Sequence, residues 1–136
     1  MRTLNVWLLL VTGGFLVACE PMGQTEKAPE EVVKARAEER WKAMVAGEYD
    51  KAYEFLSAGF RSRVSPQEYR NRFEGRTEWT GTDIKSVECE KELCVASVVA
   101  RFRFLGAPPF PPYDGETAEK ENWIVADGQW WYVPRK

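Results

Sequence analysis

The sequence predicts an α+β fold in which three N-terminal helices pack on a curved four-stranded antiparallel sheet. Up to Gly75, apolar side chains recur at the spacing of amphipathic helices. After Gly75, apolar residues alternate with polar ones, which is the period of a strand. Asp127-Gly128 lies between two alternating segments and is a strong signal for a tight hairpin turn. The strands are therefore expected to be antiparallel.

The longest predicted helix covers residues 29–47. It begins with Pro29 and two glutamates, and Gly47 is its expected stop. Its apolar positions follow helical spacing and are Val33, Ala37, Trp41, Met44 and Val45.

Two shorter helices are predicted after it. One is expected over residues 49–57. The next begins at Ser65, where Ser-Pro-Gln-Glu forms a capping box with proline in the first helical position, and ends near Gly75. Tyr69 and Phe73, four residues apart, mark its buried side.

Four strands and three connections form the predicted sheet. The strands are residues 79–89, 94–105, 117–126 and 129–133. The connections are residues 90–93, the long loop 106–115, and the tight turn 127–128. Each connection joins consecutive strands, so we expect an antiparallel meander.

Side-chain chemistry predicts how the strands pair, since opposite charges and apolar groups favour each other across strands. The pairs expected between the second and third strands are Arg103 with Glu119, Arg101 with Glu121, Val99 with Trp123, and Ser97 with Val125. The pairs expected across the tight turn are Val125 with Trp130, and Trp123 with Tyr132.

This register predicts one sheet face rich in aromatic residues with a charged end. The other face would carry Ala96, Val98, Ala100, Phe102, Phe104, Ile124 and Trp131. Both faces are too apolar to be left in water, and three short helices can cover only one. The second face is therefore expected to need a partner or a second copy.

The N-terminus predicts the export signal of a bacterial lipoprotein. Arg2 precedes an apolar stretch, and Leu16-Val17-Ala18-Cys19 has the form of a lipobox. The stretch is too short and too interrupted for a spanning helix, which needs about 20 mostly apolar residues. We expect lipidation of Cys19 by acyl chains such as palmitate, and a domain on the periplasmic side of the inner or outer membrane. The expected division is a signal peptide over 1–18, a flexible tether over 19–28, and one domain over 29–136.

Lipidation would leave two of the three cysteines, Cys89 and Cys94, at the base of a predicted hairpin. In an oxidising compartment this spacing predicts a disulfide. By the chain-entropy relation so small a loop contributes about 2 kcal/mol. A metal site would need more ligands, and the chain contains no histidine. A redox pair is not indicated, because the spacing is not Cys-x-x-Cys.

Charge and composition argue against several classes of function. The formal net charge of −2 becomes −3 once Arg2 is removed with the signal, and no basic cluster suits nucleic acid. No phosphate loop, nucleophile elbow or metal motif is present, so no cofactor and no metal are expected. Catalysis is not expected either: Tyr53 with Glu119 or Glu121 is the only acid and hydroxyl combination that topology brings together.

Three helices followed by a sheet ending in Trp-Ile-Val-Ala-Asp-Gly-Gln-Trp-Trp-Tyr-Val, residues 123–133, resemble the NTF2-like, cone-shaped α+β superfamily. The likeness covers residues 29–133. The Ala-Tyr-x-Phe-Leu-Ser segment at residues 52–57, followed by Arg61, is also similar to small bacterial envelope lipoproteins. This superfamily hosts isomerases, dehydratases, ligand binders and interaction modules, so the resemblance implies a fold more than a chemistry.

The resemblance also implies a cone with a pocket between the long helix and the concave sheet face. The arginines and glutamates of the predicted register would lie near its mouth, where they either pair across strands or meet a polar ligand. The tryptophans would be either core or a stacking platform. The pocket candidates are Trp41, Tyr53, Arg101, Arg103, Glu119, Glu121, Trp123, Trp130 and Tyr132.

A proline-rich loop, residues 107–113, holds Phe110 and Tyr113 at fixed spacing. It either covers the end of the sheet or forms a preorganised contact for another protein. We expect a non-catalytic envelope lipoprotein that binds a partner protein, or a second copy, through this loop and the uncovered apolar sheet face.

The alternative is small-molecule binding in the cone. A less favoured alternative is isomerase-like or dehydratase-like catalysis in the same pocket. The volume of the pocket separates the two kinds of binding. An interior filled by Trp41, Trp123 and Trp130 favours the partner. An open cavity lined by Arg101 and Glu121 favours the ligand.

Overall fold

The computed structural model describes residues 26–75 and 77–135, which form four helices followed by a four-stranded antiparallel sheet. The helices are α1 (Pro29–Val45), α2 (Tyr49–Tyr53), α3 (Ala58–Arg61) and α4 (Pro66–Asn71). The strands are β1 (Thr77–Glu90), β2 (Leu93–Phe104), β3 (Tyr113–Ala126) and β4 (Gln129–Val133). The sheet order is β1-β2-β3-β4, so the predicted meander is confirmed.

The predicted signal peptide, Cys19 and most of the tether lie outside the described residues. Residues 26–28, the end of the tether, are exposed and not helical. Within the part of the chain that the structure describes, none of the helices combines the length and the apolar character needed to cross a bilayer.

Helix α1 forms where its local signals predict. Proline lies in its first turn, and the chain leaves the helix at Gly47, whose φ of 72° favours glycine. The buried side carries Val33, Ala37, Arg40, Trp41, Ala43 and Met44. Val45 was expected on that side, but it is 37% exposed.

The second predicted helix, residues 49–57, is interrupted, and this gives four helices instead of three. α2 ends at Tyr53, because the next backbone groups pair with β4. Ser57 N donates to Tyr132 O at 2.8 Å, and Tyr132 N donates to Phe55 O at 2.9 Å. The backbone of residues 55–57 thus forms hydrogen bonds with the N–H and C=O groups of Tyr132 at the edge of the sheet. The Ser57 hydroxyl then accepts from Phe60 N and starts α3.

The capping box of α4 is confirmed. The Ser65 hydroxyl accepts from Glu68 N, and the Glu68 carboxylate accepts from Ser65 N at 2.7 Å. The hydrogen bonds that the Glu68 carboxylate accepts from Ser65 N and from the Ser65 hydroxyl lower its pKa. Tyr69 is 2% exposed and Phe73 is half-buried, as their spacing predicts.

Both two-residue turns use positive φ. Asp127 and Gly128 adopt φ of 52° and 72°, which is the conformation of the predicted tight turn. At the other turn, Cys89 and Cys94 lie directly opposite each other with a Cα–Cα distance of 4.0 Å and form the predicted disulfide.

The predicted register between β2 and β3 is wrong. Arg103 lies opposite Asp114 and Arg101 opposite Glu116, while Trp123 lies opposite Cys94. The reason is the proline-rich connection: it closes on itself through a bridge between residues 107 and 110, so β3 begins at residue 113 instead of 117. The predicted pairs across the β3–β4 turn are confirmed.

A register shifted by an odd number of residues exchanges the two faces of β2. Ala96, Val98 and Ala100 were expected on the uncovered face, but they are at most 1% exposed and form the core under α1. Phe102 and Phe104 continue this covered face and are partly buried. The open face carries Arg101 and Arg103 with Ile124 and Trp131. The small side chains let the helix approach, and the arginines remain in water.

Candidate functional site

A buried ion pair joins α1 to β3. Arg40 is 3% exposed and Glu121 is 1% exposed. Arg40 follows Val33 by seven residues and therefore lies on the buried side of α1. Glu121 lies opposite Ala96 on the covered face of the sheet. Two charges are thus held inside a largely apolar interior, where each needs compensation.

The Glu121 carboxylate is held by three donors. Arg40 Nη2 and Trp41 Nε1 both donate to Oε1, the latter at 2.8 Å. Trp123 Nε1 donates to Oε2 at 3.3 Å. Its negative charge therefore joins α1 to β3 and binds two indoles of the interior.

The guanidinium of Arg40 lies between aromatic rings, 4.2 Å from the ring centre of Tyr132 and 4.8 Å from that of Trp41. Burial acts to lower the pKa of Arg40, but Glu121 and two neighbouring tyrosines outweigh it, and the pKa is raised. Among the described residues, nothing accepts a hydrogen bond from its buried Nε–H. This unpaired donor is unusual for a buried polar group.

A cavity of about 270 Å³, partly open to solvent, lies beside the ion pair between α1, α4 and the end of the sheet. Its aromatic wall consists of Trp41, Phe60, Tyr69, Phe73, Trp79 and Tyr132. Its charged wall includes Arg40, Arg72, Arg135, Glu119 and Glu121. Such a mixture of apolar surface and a few polar groups is typical of a small-ligand site.

The two cavity tyrosines are neutral hydroxyl groups. Burial raises the pKa of Tyr132 to about 12 and also raises the pKa of Tyr69. The Tyr69 hydroxyl donates to Met44 Sδ at 3.6 Å, which is a weak acceptor. The Tyr132 hydroxyl can therefore donate a hydrogen bond to a bound group at neutral pH, whereas Tyr69 would have to turn its proton away from Met44.

The structure brings together only part of the predicted pocket set. Trp41, Glu119, Glu121 and Tyr132 line the cavity. Trp123 and Trp130 are buried in the core at 0% and 8% exposure. The Trp123 indole reaches Glu121, whereas Trp130 borders a separate groove beside the start of α1.

Three predicted pocket residues lie elsewhere. Tyr53 is half-buried, and its hydroxyl donates to Val64 O at 2.8 Å. Arg101 and Arg103 lie on the open sheet face. They bind Asp83 at 2.6 Å and Asp114 at 2.8 Å, so they pair with carboxylates across strands and do not reach the cavity.

Sequence reasoning missed Arg40 and Arg72. A signal for Arg40 is present: it lies seven residues after Val33 and four before Met44, so it interrupts the apolar side of a confident helix. A charged residue in such a position needs a buried partner. No comparable signal marks Arg72, whose place in the cavity depends on how α4 packs.

The proline-rich loop presents aromatic side chains to solvent. Phe110 is 67% exposed and Tyr113 is 56% exposed. The Tyr113 ring packs on Phe104 and Phe102, with centroids 5.3 and 6.1 Å away. Gly115 allows this arrangement, because a Cβ there would lie 2.7 Å from the Phe102 ring. The loop is thus joined to the covered sheet face by one edge-to-face and one tilted ring contact.

No cluster of His, Cys, Asp and Glu suited to a metal ion occurs within residues 26–75 and 77–135. No protein-family model and no curated protein matches the sequence.

Several solved structures share the fold. One is RPA3114, a SEC-C motif containing protein from Rhodopseudomonas palustris, which is 18% identical with a TM-score of 0.60, over 74% of this chain and 73% of that one. Another is a Ca/calmodulin-dependent kinase II association domain from Exiguobacterium sibiricum, 16% identical with a TM-score of 0.59, over 82% and 92%. A LEH-like epoxide hydrolase from M. tuberculosis is 13% identical with a TM-score of 0.52, over 79% and 80%.

An association domain and an enzyme thus share this architecture, and at these identities the likeness extends to the fold alone. The described residues have an α+β fold with an open four-stranded antiparallel sheet.

Proposed function

We propose that this protein is a lipid-anchored envelope domain that binds a small molecule beside the Arg40–Glu121 pair without transforming it. The open cavity of about 270 Å³ carries this proposal. Its volume equals about nine water molecules at ~30 Å³ each, which suits a ligand with a single ring. Binding pockets for small molecules begin near this size.

The same observation favours the ligand over the partner as the main function. Trp41, Trp123 and Trp130 fill much of the interior, but space remains beside Glu121. Arg40 takes the place in the wall that was expected for Arg101. The β2 residues of the face expected to receive a partner lie under α1, and only Ile124 and Trp131 of that set are on the open face, so this face offers less apolar surface than expected.

Binding without catalysis is supported by how Glu121 is held. It is the one buried carboxylate among the described residues, and three donors engage its oxygens. A general base needs a free oxygen within reach of a substrate proton. The chain contains no histidine to take that role. We therefore do not propose the epoxide hydrolase activity of the structural neighbour for this protein.

Ligand binding can be tested with a library of small aromatic and aliphatic fragments, added to the full chain in a mild detergent. The indole N–H signals of Trp41 and Trp79, which line the cavity, should shift on binding in ¹⁵N–¹H spectra. Trp131 is an internal control, because its indole lies on the open face and donates to Ala126 O at 3.1 Å. If no fragment shifts Trp41 and Trp79 more than Trp131, the ligand proposal is wrong.

The anchoring proposal rests on the lipobox ending in Cys19. Expression in a bacterium should place the wild type in the membrane fraction and Cys19→Ala outside it. Mass spectrometry of the N-terminal peptide should find acyl chains on Cys19. A mature chain with an unmodified thiol there would overturn the proposal.

A second function, contact with another envelope protein, is supported by the exposed aromatics of the proline-rich loop. The start of α1 lies beside the β3–β4 turn, since Arg36 Nε donates to Trp130 O at 2.7 Å. The proline-rich loop joins β2 and β3 at the end of the sheet opposite to this turn. Because β3 has 14 residues, the loop and the β3–β4 turn are separated by up to about 46 Å of strand at ~3.3 Å per residue. It would face away from the membrane that holds the anchor.

This contact can be tested by cross-linking in intact cells. The double variant Phe110→Ala, Tyr113→Ala should lose a cross-linked species that the wild type forms. Leu93→Ala is the matched control, because it removes a 43% exposed apolar side chain at the other end of β2. Equal recovery of the species from both variants would remove the loop from consideration.

A further inference from the structure

The cavity beside the Arg40–Glu121 pair presents more donors than acceptors. Arg72 and Arg135 line it, and their guanidinium groups can only donate hydrogen bonds. The Tyr132 hydroxyl is protonated at neutral pH, as an ordinary tyrosine is, and burial raises its pKa further. The buried carboxylate in the same wall already accepts three hydrogen bonds. A ligand that completes this wall must bring acceptor atoms.

A cationic ligand is disfavoured, although aromatic walls often bind cations. Three of the six rings in the wall already carry guanidinium groups. Arg40 lies over Tyr132 and Trp41, and Arg72 lies over Phe60 at 5.6 Å. A second positive charge among these groups would be repelled.

The net charge of the mouth has the same sign. Arg40 and Glu121 neutralise each other, which leaves Arg72 and Arg135 against Glu119. Within the described residues, no carboxylate lies within 4.0 Å of either remaining arginine to form an ion pair. Lys120 also borders the cavity, but its register places its side chain on the open face, and it is not counted.

Resting on the proposed function of ligand binding, we infer that the ligand is a small organic anion with a flat apolar body, such as a single-ring aromatic carboxylate. The ring lies against the aromatic wall. The carboxylate accepts from the Tyr132 hydroxyl and from the Arg72 guanidinium at the mouth. Charge-assisted hydrogen bonds of this kind are about twice as strong as neutral ones.

Three probes of equal size test the charge of the ligand: benzoate, benzamide and benzylamine. Each is titrated into the full chain in detergent while the Trp41 and Trp79 indole signals are followed. Benzoate should bind about tenfold more tightly than benzamide, which corresponds to a single charge-assisted interaction. It should also bind more weakly as salt is raised.

The outcomes separate this inference from the proposed function. If benzamide binds as tightly as benzoate, the cavity is a ligand site but does not select anions. Tighter binding of benzylamine would reverse the assigned charge. If none of the three shifts the indoles, the inference is overturned, and the fragment library decides separately whether the cavity binds other molecules.

Two variants test the residues. Arg72→Gln should weaken benzoate about fivefold and leave benzamide unchanged, because it removes one charge at the mouth. Arg70→Gln is the matched control: it makes the same change in net charge two residues away, where Arg70 binds Asp50 at 2.8 Å. Equal weakening by both would mean that long-range charge alone acts, and would refute the assigned contact.

Discussion

Removal of Arg40 from the buried pair should strongly destabilise the fold. Arg40→Met keeps the approximate volume of the side chain but leaves Glu121, which is 1% exposed, without its cation. Loss of one partner of a buried pair destabilises proteins by about 3–5 kcal/mol. The indoles of Trp41 and Trp123 still donate to the carboxylate, so we expect about 3 kcal/mol.

Urea unfolding followed by tryptophan fluorescence measures this effect. With a slope of about 1.5 kcal/mol per M, the midpoint should fall by about 2 M. The double variant Arg40→Met, Glu121→Leu should recover most of the loss, because it removes both buried charges together. Arg103→Met is the control: it breaks an exposed pair with Asp114, and its midpoint should stay near that of the wild type.

The reasoning would be refuted by either of two results. Arg40→Met could lower the midpoint no more than Arg103→Met, which would mean that the Glu121 charge does not depend on its partner. Alternatively, the double variant could be as unstable as the sum of the two single variants. That sum would show that the two side chains act independently.

Three further predictions concern the sheet and the cavity. Replacing Cys89 and Cys94 by serine should lower the free energy of unfolding by about 2 kcal/mol, and a reductant should then have no further effect on the urea midpoint. Gly115→Ala should destabilise by about 1–3 kcal/mol, because its Cβ would lie 2.7 Å from the Phe102 ring; thermal unfolding would reveal an error if the variant were as stable as the wild type. The folded state holds the proton of Tyr132 to about pH 12, against a usual pKa of 10.0, so stability should fall as pH rises between these values. Tyr132→Phe should flatten that fall in chemical denaturation at stepped pH, and an unchanged slope would contradict the assignment.

Elements with a local cause were predictable. The capping box at Ser65 and Glu68 satisfies its own backbone groups, and Gly47 ends α1 through its own φ. Asp127-Gly128 sets the β3–β4 turn and with it the adjoining register. Each of these depends on residues within a few positions of one another, so sequence is enough.

Elements that depend on residues far apart in the sequence could not be predicted in this way. Residues 49–57 read as one helix, because nothing nearby shows that β4 offers an open edge to Phe55 and Ser57. The predicted pairing of Arg101 with Glu121 satisfies charge complementarity as well as the observed pairing of Arg101 with Glu116 does. The observed register is set instead by the short proline-rich connection, and it buries three small residues of β2 under α1.

The candidate site shows the same division. The tight turn predicts that Trp123, Trp130 and Tyr132 share one face of the sheet, while the family resemblance assigned that face to the helix side. The cavity beside them could not be predicted, because its walls come from α1, α4 and β3 at once.

By itself the sequence determined the class of fold, the order of its strands, the disulfide and the long helix, because hydrophobic period and turn chemistry act over short distances. The tertiary structure alone decided which face of β2 is covered and which arginine meets Glu121. A shift between strands exchanges the faces at little local cost, so the choice rests on the packing of the whole interior.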